Sequence, residues 1–191
     1  MRSLLDPEDA LRGLRRVAGE ILERNRGATD LLLVGIRRGG IPVAEELARG
    51  IEALDGHAPP VGSVDITLYR DDASTALLTP SVGPTRLPLS LEGRTVVLCD
   101  DVLFTGRTIR AAVDALLDYG RPAKVELAVL VDRGGRELPI QADYLVKRVE
   151  VTASERVDVQ LSGPQLFAAV AVPFDHPTLP PPPASPASEV P

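Results

Sequence analysis

The 191-residue chain is poor in the residue types that build disulfides, cysteine metal cages and base-stacking surfaces. Its one cysteine, Cys99, excludes an intrachain disulfide and a cysteine metal cage, and we predict that it is a buried filler at a strand end. Aromatic residues make up 3% of the chain and tryptophan is absent, so the core must be aliphatic. Because single-strand nucleic-acid binders commonly stack bases on aromatic side chains, this composition argues against that class of surface.

Long apolar runs and excess positive charge are also missing. No run approaches the roughly 20 residues that cross a bilayer, and the N-terminus lacks the apolar region of a signal peptide. We therefore expect a cytoplasmic protein with no membrane partner. The formal net charge of −6 disfavours non-specific binding to nucleic acid, which depends on neutralising phosphates, but it leaves room for a local basic patch.

The chain is long enough for one domain with a full core and short for two. Residues 176–191 are rich in proline and contain almost nothing to bury, so we expect a disordered or polyproline tail there. The folded domain is expected to span residues 1–175.

Short apolar runs alternate along the chain with amphipathic helical patterns. Continuous apolar runs predict strands that helices cover on both faces, and apolar residues at three- and four-residue spacing predict the helices. This alternation predicts an α/β fold in which a parallel sheet carries helices on both faces. The predicted elements are helices from Asp6 to Asn25 and over 43–54 and 109–117, and strands over 31–36, 64–69, 95–99, 124–131, 143–147 and 156–161.

The segment after the second predicted helix combines a weak strand pattern with a long polar stretch. Val64, Ile66 and Leu68 alternate with polar residues, which predicts a strand with one exposed face. Residues 70–90 carry Asp, Ser, Thr, Pro and Gly with weak periodicity. Such a segment inside a compact domain is usually functional or flexible, so it is either a flap that closes over a ligand or a passive loop.

Ligands of open parallel sheets bind beyond the carboxyl ends of the strands. The loops that follow residues 36, 99 and 131 should therefore meet at one site. They read RRGG, DDVLFTGRT and DRGGREL, and each offers charged side chains next to glycines or a turn.

The stretch VVLCDDVLFTGRT joins two adjacent carboxylates to a turn that is rich in hydrogen-bond donors. Vicinal sugar hydroxyls are suitable donors for both acids. Free N–H groups, the helix dipole and two hydroxyls favour a phosphate at the turn that follows. The pattern predicts a ribose 5-phosphate site, and the alternative is that both acids merely cap the turn. The stretch consists of Val96, Val97, Leu98, Cys99, Asp100, Asp101, Val102, Leu103, Phe104, Thr105, Gly106, Arg107 and Thr108.

Rival phosphate and metal motifs do not occur. The chain has neither G-x-x-x-x-G-K-[ST] nor G-x-G-x-x-G. A metal site made of acids is compatible with the stretch, but His57 and His176 lie far from it in sequence and are expected on the surface.

Residues 96–108 resemble the phosphoribosyl-pyrophosphate (PRPP) signature of the type I phosphoribosyltransferases. More narrowly, the segments 65–72, 96–122 and 127–144 resemble the PyrR family, and the resemblance covers about residues 8–161. Members of that family are described as pyrimidine-operon attenuation regulators that also act as uracil phosphoribosyltransferases. The resemblance implies a type I phosphoribosyltransferase fold with a flap loop, and a reaction of uracil with PRPP that gives UMP and pyrophosphate.

The resemblance also implies roles for the motif residues. Asp100 and Asp101 would hold the ribose hydroxyls, directly or through Mg²⁺, and residues 104–108 would grip the 5′-phosphate. Because the Mg²⁺ would bridge the diphosphate and the ribose hydroxyls, no dedicated protein cage is expected. The two acids and Arg38 are the predicted catalytic residues.

The loop after residue 36 would cradle the pyrophosphate with N–H groups and an arginine. The family usually has Thr and then Arg before the second glycine of this loop, whereas this chain has Arg38 and Gly39. Either Arg38 replaces the lost side chain, or pyrophosphate binding is weaker. The predicted pyrophosphate loop consists of Arg37, Arg38, Gly39 and Gly40.

Two further positions bear on the base. Purine phosphoribosyltransferases often have an acid three residues beyond the second carboxylate, where this chain has Phe104. This difference fits a pyrimidine substrate and leaves no obvious general base. Asp132 and Arg133, at the end of the strand over 124–131, are predicted to contact the base or the metal, with a plain strand-end cap as the alternative for Asp132.

PyrR proteins are thought to bind a messenger-RNA hairpin through the first helix, the pyrophosphate loop and the segment after the strand over 124–131. Gly19 and Gly135 stand where the family has histidines, and Gln141 replaces an arginine. Because RNA recognition needs donors and stacking groups at fixed places, several contacts are expected to be lost. The basic positions that match the family's RNA contacts are Arg16, Arg24, Arg136 and Lys147.

Two functions follow from the resemblance: a uracil phosphoribosyltransferase, and a UMP-responsive regulator that binds pyrimidine-operon leader mRNA. They can coexist, because UMP as product and UMP as effector would occupy one pocket. The alternatives are an RNA-binding regulator with little or no catalysis, and a phosphoribosyltransferase for another base. Family members are generally dimers or larger, so we expect a homodimer or higher homo-oligomer.

Overall fold

The computed structural model describes residues 2–69, 84–152, 154–161 and 167–173. Within those ranges, no helix has both the length and the apolar character that crossing a membrane requires. In chain order the elements are β1 (Arg2–Leu5), α1 (Pro7–Asn25), β2 (Leu31–Ile36), α2 (Gly40–Asp55), β3 (Val61–Val64), β4 (Thr95–Leu103), α3 (Arg107–Leu117), β5 (Lys124–Asp132), β6 (Tyr144–Arg148), β7 (Glu155–Leu161) and β8 (Phe167–Pro173).

The larger sheet is parallel, with the strand order β3-β2-β4-β5-β6. β2 is buried along its whole length, because helices cover both faces of the sheet. α1 and α2 pack on one face through residues such as Ile21 and Leu47. α3 packs on the other face through Ile109 and Leu116. The predicted α/β fold is therefore confirmed.

α1 begins where its sequence indicates. The Asp6 side chain accepts the N–H of Asp9 at 2.9 Å, and Pro7 occupies the first turn, where its missing N–H costs nothing. A Cβ atom at Gly13 would lie 2.3 Å from Val146 Cγ1 of β6. A glycine at this position therefore lets α1 lie directly on the edge strand.

A second sheet, which we call the cap sheet, is antiparallel and has the order β1-β8-β7. Its β8 packs against α1 and its β7 contacts β4. Leu5 and Phe167 of this sheet join the same core as α1 and α2. The predicted strand over 156–161 corresponds to β7, whereas the local sequence patterns predict neither β1 nor β8.

The predicted strand over 64–69 is wrong, because β3 occupies residues 61–64 and a turn follows it. The Asp65 carboxylate accepts the N–H of Thr67 at 2.9 Å, and the N–H of Tyr69 donates to Ile66 O at 2.9 Å. An aspartate that binds the backbone two residues ahead competes with strand pairing. Leu68 is consequently exposed rather than packed.

β4 is longer than predicted. The predicted strand ends at Cys99, whereas the observed strand continues through both acids to Leu103. The extension is stabilised by parallel pairing with β5, which continues as far as Asp132. The two acids therefore lie within the end of a strand, and their backbone geometry is set by the sheet.

The predicted flap over residues 70–90 falls largely on residues 70–83, which lie outside the described residues, as does the predicted tail over 176–191. The described end of this segment covers the outer edge of β3. Ser63 and Arg86 exchange two backbone hydrogen bonds, each 2.8 Å long. The edge strand of the parallel sheet is therefore capped at this point.

Candidate functional site

Three loops meet at the carboxyl end of the parallel sheet. Gly39, between β2 and α2, packs against Asp101 near the end of β4. The N–H of Arg133, after β5, donates to Leu103 O at 3.1 Å. The loops that follow β2, β4 and β5 thus lie next to one another, which is where ligands of open α/β sheets bind.

Two neighbouring acids form the centre of this region. Asp100 is buried, and its Oδ1 accepts the N–H of Asp101 at 3.0 Å. Asp101 Oδ1 accepts the N–H of Val102 at 2.8 Å. These local bonds use one oxygen of each carboxylate and fix the direction in which the other oxygen can bind.

The loop from Arg37 to Gly40 reaches β4 because two of its residues lack side chains. A Cβ atom at Gly39 would lie 2.2 Å from Asp101 Oδ2, and one at Gly40 would lie 2.0 Å from Cys99 O. Neither position has room for a larger residue. Cys99 itself is fully buried, as predicted, and burial raises the pKa of its thiol.

The two acids are held in an environment that disfavours their charge. Burial, and secondly the charge of Asp101, raise the pKa of Asp100 well above its ordinary value. Burial also raises the pKa of Asp101, although the N–H of Val102 opposes the shift. No described cation contributes to either shift. Hydroxyl donors or a bound cation would stabilise the ionised carboxylates. Because carboxylate oxygens are ligands that Mg²⁺ prefers, the two acids fit such an ion.

The turn after β4 leads directly into α3. Gly106 is the N-cap residue and has a φ of 91°, a left-handed conformation that favours glycine. The side chain of Thr105 accepts the N–H of Arg107 at 3.3 Å. The N-cap makes no side-chain hydrogen bond, so the first turn of α3 offers N–H groups of the kind that bind anions at helix N-termini.

The two arginines of the predicted pyrophosphate loop lie on different sides of it. Arg38 lines a cavity of about 270 Å³ together with Gly39 and Asp101. Arg37 lies near the edge strand, with its Nε 3.8 Å from Asp65 Oδ2. Of the two, Arg38 therefore borders the acids.

The cap sheet supplies the far wall of that cavity. Sequence reasoning missed this wall, and the signal that could have indicated it is the apolar run FAAVAVP at residues 167–173. The cap-sheet residues that line the cavity are Val159, Leu161 and Phe167.

Asp132 is buried at the end of β5, and its carboxylate is bound by the protein itself. The N–H of Gly134 donates to Oδ1 at 2.9 Å, and the guanidinium groups of Arg136 and Arg148 lie 2.8 and 3.5 Å from Oδ2. Burial by itself would raise the pKa of Asp132, but the Gly134 N–H and the Arg136 charge together lower it. This is the geometry of a strand-end cap reinforced by ion pairs.

Arg133 contacts the PRPP motif through an aromatic ring. Its guanidinium carbon lies 4.0 Å from the centroid of the Phe104 ring. Its Nη2 donates to Glu155 O in β7 at 3.0 Å. Arg133 therefore joins the end of β4 to the cap sheet.

Three of the four basic positions predicted for RNA bind the protein itself. Arg16 donates to two carbonyl oxygens of β6, at 2.8 and 3.2 Å. Arg24 forms ion pairs with two acids, at 2.9 and 3.2 Å, and Arg136 pairs with Asp132 as described above. Lys147 is exposed on β6.

The fold is that of a phosphoribosyltransferase. A family described as the phosphoribosyl transferase domain matches residues 2–161, so the chain belongs to it. The type I phosphoribosyltransferase fold is shared with a hypoxanthine-guanine phosphoribosyltransferase from Bacillus anthracis (TM-score 0.64, 15% identity, covering 90% of this chain and 98% of that one). It is also shared with a hypoxanthine phosphoribosyltransferase from Trypanosoma cruzi (TM-score 0.64, 20% identity, covering 81% and 80%).

Curated relatives identify a narrower family within the phosphoribosyltransferases. The "Bifunctional protein PyrR" of Pelotomaculum thermopropionicum is 54% identical over 158 residues, which cover 83% of this chain and 87% of the relative. The protein of the same name from Geobacter sulfurreducens is 52% identical over 172 residues, which cover 90% and 94%. The chain is a member of the PyrR family, and the resemblance found in its sequence is confirmed.

Proposed function

We propose that this chain is a uracil phosphoribosyltransferase that forms UMP and pyrophosphate from uracil and PRPP. The observation that carries the proposal is the acid pair formed by buried Asp100 and half-buried Asp101, which packs against Gly39 and lies shortly before the turn at residues 105–108. Carboxylates suit the vicinal ribose hydroxyls, and the turn suits the 5′-phosphate. One PRPP molecule would span all three parts.

The reaction breaks the bond between C1 of the ribose and the diphosphate and forms a bond from C1 to uracil N1. The N1–H bond of uracil also breaks, and its proton passes to the departing diphosphate or to water. Asp100 and Asp101 hold the ribose hydroxyls and thereby fix the position of C1. Their negative charge also favours the positive charge that develops on the ring, while Arg38 and the loop N–H groups stabilise the departing diphosphate. Mg²⁺, when bound with PRPP, neutralises charge on the diphosphate.

Arg133 is proposed to contact the base, and Asp132 to have a structural role. The Asp132 carboxylate is already engaged by a backbone N–H and two guanidinium groups. The Arg133 guanidinium, by contrast, lies over the ring of Phe104, three residues after Asp101.

The activity is tested by incubating the purified chain with Mg²⁺, PRPP and uracil. UMP and pyrophosphate should appear in equal amounts, and hypoxanthine, guanine and orotate should be poor substitutes for uracil. Product at the level of a protein-free sample would overturn the proposal. If the chain prefers one of the other bases, that base and not uracil is the substrate, and the reaction is still a phosphoribosyl transfer.

Arg38 and Arg37 provide a matched pair for the same assay. Because Arg38 borders the acids and Arg37 lies at the edge strand, Arg38→Ala should lower kcat/KM for PRPP by about tenfold or more and Arg37→Ala by less. Equal losses of kcat/KM in the two variants would show that Arg38 has not replaced the family's arginine in pyrophosphate binding.

A second function, binding of pyrimidine-operon leader mRNA in response to UMP, is part of the proposal because the relatives are named bifunctional. With three of the basic positions engaged internally, Lys147 is the position from which we expect a direct RNA contact. A homodimer or larger homo-oligomer, as the family resemblance implies, stays a prediction.

RNA binding is tested by filter binding of the organism's own leader transcript with and without UMP. UMP should strengthen RNA binding, and Lys147→Ala should weaken it. The same variant should reduce the magnitude of the slope of log K against log salt concentration by about one. Arg121→Ala is the matched control, because Arg121 is exposed just before β5, at the opposite end of the sheet. Equal effects of both variants would indicate non-specific attraction, and no UMP-dependent affinity at all would remove this second function.

A further inference from the structure

The ring of Phe104 contacts two residues that follow β5. The Arg133 guanidinium lies over the ring at 4.0 Å. A Cβ atom at Gly135 would lie 2.5 Å from Phe104 Cε2, and Gly135 has a φ of 74°. A larger residue at this position would have to displace the ring, and the positive φ favours glycine. The ring therefore contacts both residues, although 38% of Phe104 is exposed.

The backbone around Phe104 is bound by the same segment. Leu103 O accepts the N–H of Arg133 at 3.1 Å, and Phe104 O accepts Arg136 Nη1 at 2.9 Å. Thr105 O accepts two N–H groups, from residues 137 and 138, at 3.0 and 3.1 Å. Three consecutive carbonyl groups are thus held by one stretch of chain, and the last of them belongs to Thr105, the first residue of the turn at 105–108.

That stretch is itself anchored to the body of the domain. Arg136 pairs with the buried carboxylate of Asp132 at 2.8 Å, and its Nε donates to Ile140 O at 2.8 Å. Arg133 donates to Glu155 O of the cap sheet at 3.0 Å. Arg107, inside the turn, pairs with Glu137 at 2.6 Å.

The turn at 105–108 also has bonds of its own, because Thr105 Oγ1 accepts the N–H of Arg107 at 3.3 Å and Gly106 O accepts the N–H of Arg110 at 2.9 Å. Its N-cap, Gly106, makes no side-chain hydrogen bond, and glycine is the most flexible residue of the backbone. Phosphate binding by N–H groups depends on their direction, so a loose turn would bind weakly.

We propose that Phe104, Arg133, Gly135 and Arg136 form a brace that positions the turn at 105–108 for the 5′-phosphate. These are positioning residues with respect to the phosphate, because they act through the turn. The inference rests on the proposed function, which assigns the 5′-phosphate to this turn, and it adds the element that holds the turn in shape.

The test compares two ligands by titration calorimetry. UMP carries a 5′-phosphate that the turn should bind, whereas pyrophosphate with Mg²⁺ should bind at the loop from Arg37 to Gly40. Phe104→Leu and Gly135→Ala should each weaken UMP binding about tenfold and leave pyrophosphate binding within about twofold. Tyr119→Leu is the matched control, because Tyr119 is an exposed aromatic residue just after α3, and it should change neither.

A double-mutant cycle separates the brace from general damage. If Gly135→Ala acts by displacing the ring, the double variant should bind UMP no more weakly than Phe104→Leu does. Multiplied losses, equal losses for both ligands, or unchanged UMP binding in both single variants would each overturn the brace. If the unchanged chain binds pyrophosphate and UMP but the variants behave in one of those ways, only the brace fails. If the unchanged chain binds neither ligand, the proposed function fails, and the brace fails with it.

Discussion

Asp100→Asn is expected to stabilise the protein against unfolding while it strongly weakens binding of PRPP. Burial and the charge of Asp101 raise the pKa of Asp100, so its ionised form is a cost to the folded state. Asparagine keeps an oxygen that can accept the N–H of Asp101 at the observed 3.0 Å, and it removes the charge. We expect a gain of about 1–2 kcal/mol, or a Tm higher by about 2–8 °C. The lost carboxylate should cost about a hundredfold in PRPP affinity.

The pH dependence of Tm tests whether the Asp100 charge is the cause of the expected stability difference. A carboxyl with a raised folded-state pKa stabilises the fold fully below its unfolded pKa and loses that contribution as the pH rises through the folded pKa. The Tm difference between Asp100→Asn and the unchanged chain should therefore be near zero at about pH 4 and should increase at higher pH. Because tryptophan is absent, unfolding is best followed by calorimetry or circular dichroism, in EDTA.

Asp30→Asn is the matched control, since Asp30 is exposed just before β2, at the opposite end of the sheet. It should leave both Tm and PRPP affinity nearly unchanged. A lower Tm for Asp100→Asn at pH 8, or a difference that does not vary with pH, would show that the acid is not strained in the folded state.

Gly39→Ala is expected to remove PRPP binding through a single added methyl group. The new Cβ would lie 2.2 Å from Asp101 Oδ2 and 2.3 Å from its Cγ, so either the acid or the pyrophosphate loop must move. The backbone of Gly39 is in a helical conformation, φ −68° and ψ −28°, which alanine adopts readily. Lack of space is therefore the cause, and we expect a stability loss of about 1–3 kcal/mol and at least a hundredfold loss in PRPP affinity, comparable to a 1 Å misplacement at a reacting centre.

Gly19→Ala is the control for Gly39→Ala. Gly19 lies inside α1, and the nearest atom to an added Cβ is Leu54 Cδ1 at 3.9 Å. Alanine should stabilise the helix there by about 1 kcal/mol and leave PRPP binding unchanged. Retention of PRPP affinity by Gly39→Ala would mean that the loop moves without consequence and that its contact with Asp101 does not matter for binding.

Those parts of the fold that repeat a local pattern could be predicted from the sequence. The apolar runs at β2, β4 and β5 and the apolar stripes of the helices are short-range signals, and the structure contains all of them. The acid pair could be placed at a strand end for the same reason. The predicted length of β4 is too short because two adjacent carboxylates are not typical of strand residues. Only the pairing with β5 shows that both acids belong to the strand.

Features that depend on distant partners could not be predicted. Arg16 and Arg24 form a basic pattern in sequence, but their partners lie on β6, on β5 and in the loop between them. β1 lacks a pairing partner nearby in sequence, because it pairs with β8. Nothing in a local window indicates that Arg2 pairs with Ala171.

That pairing has a consequence for biosynthesis. Among the described residues, the five strands of the parallel sheet and the helices α1, α2 and α3 lie between residues 7 and 148, so a ribosome releases them before β8. β1 is made before them but pairs with β8, and Phe167 reaches the wall beside Arg38 only after β8 has been made. Because domains form from the N-terminus onward during translation, a nascent chain stalled after β6 would carry the acid pair without its cover, and the cavity beside Arg38 is completed only once β8 has left the ribosome.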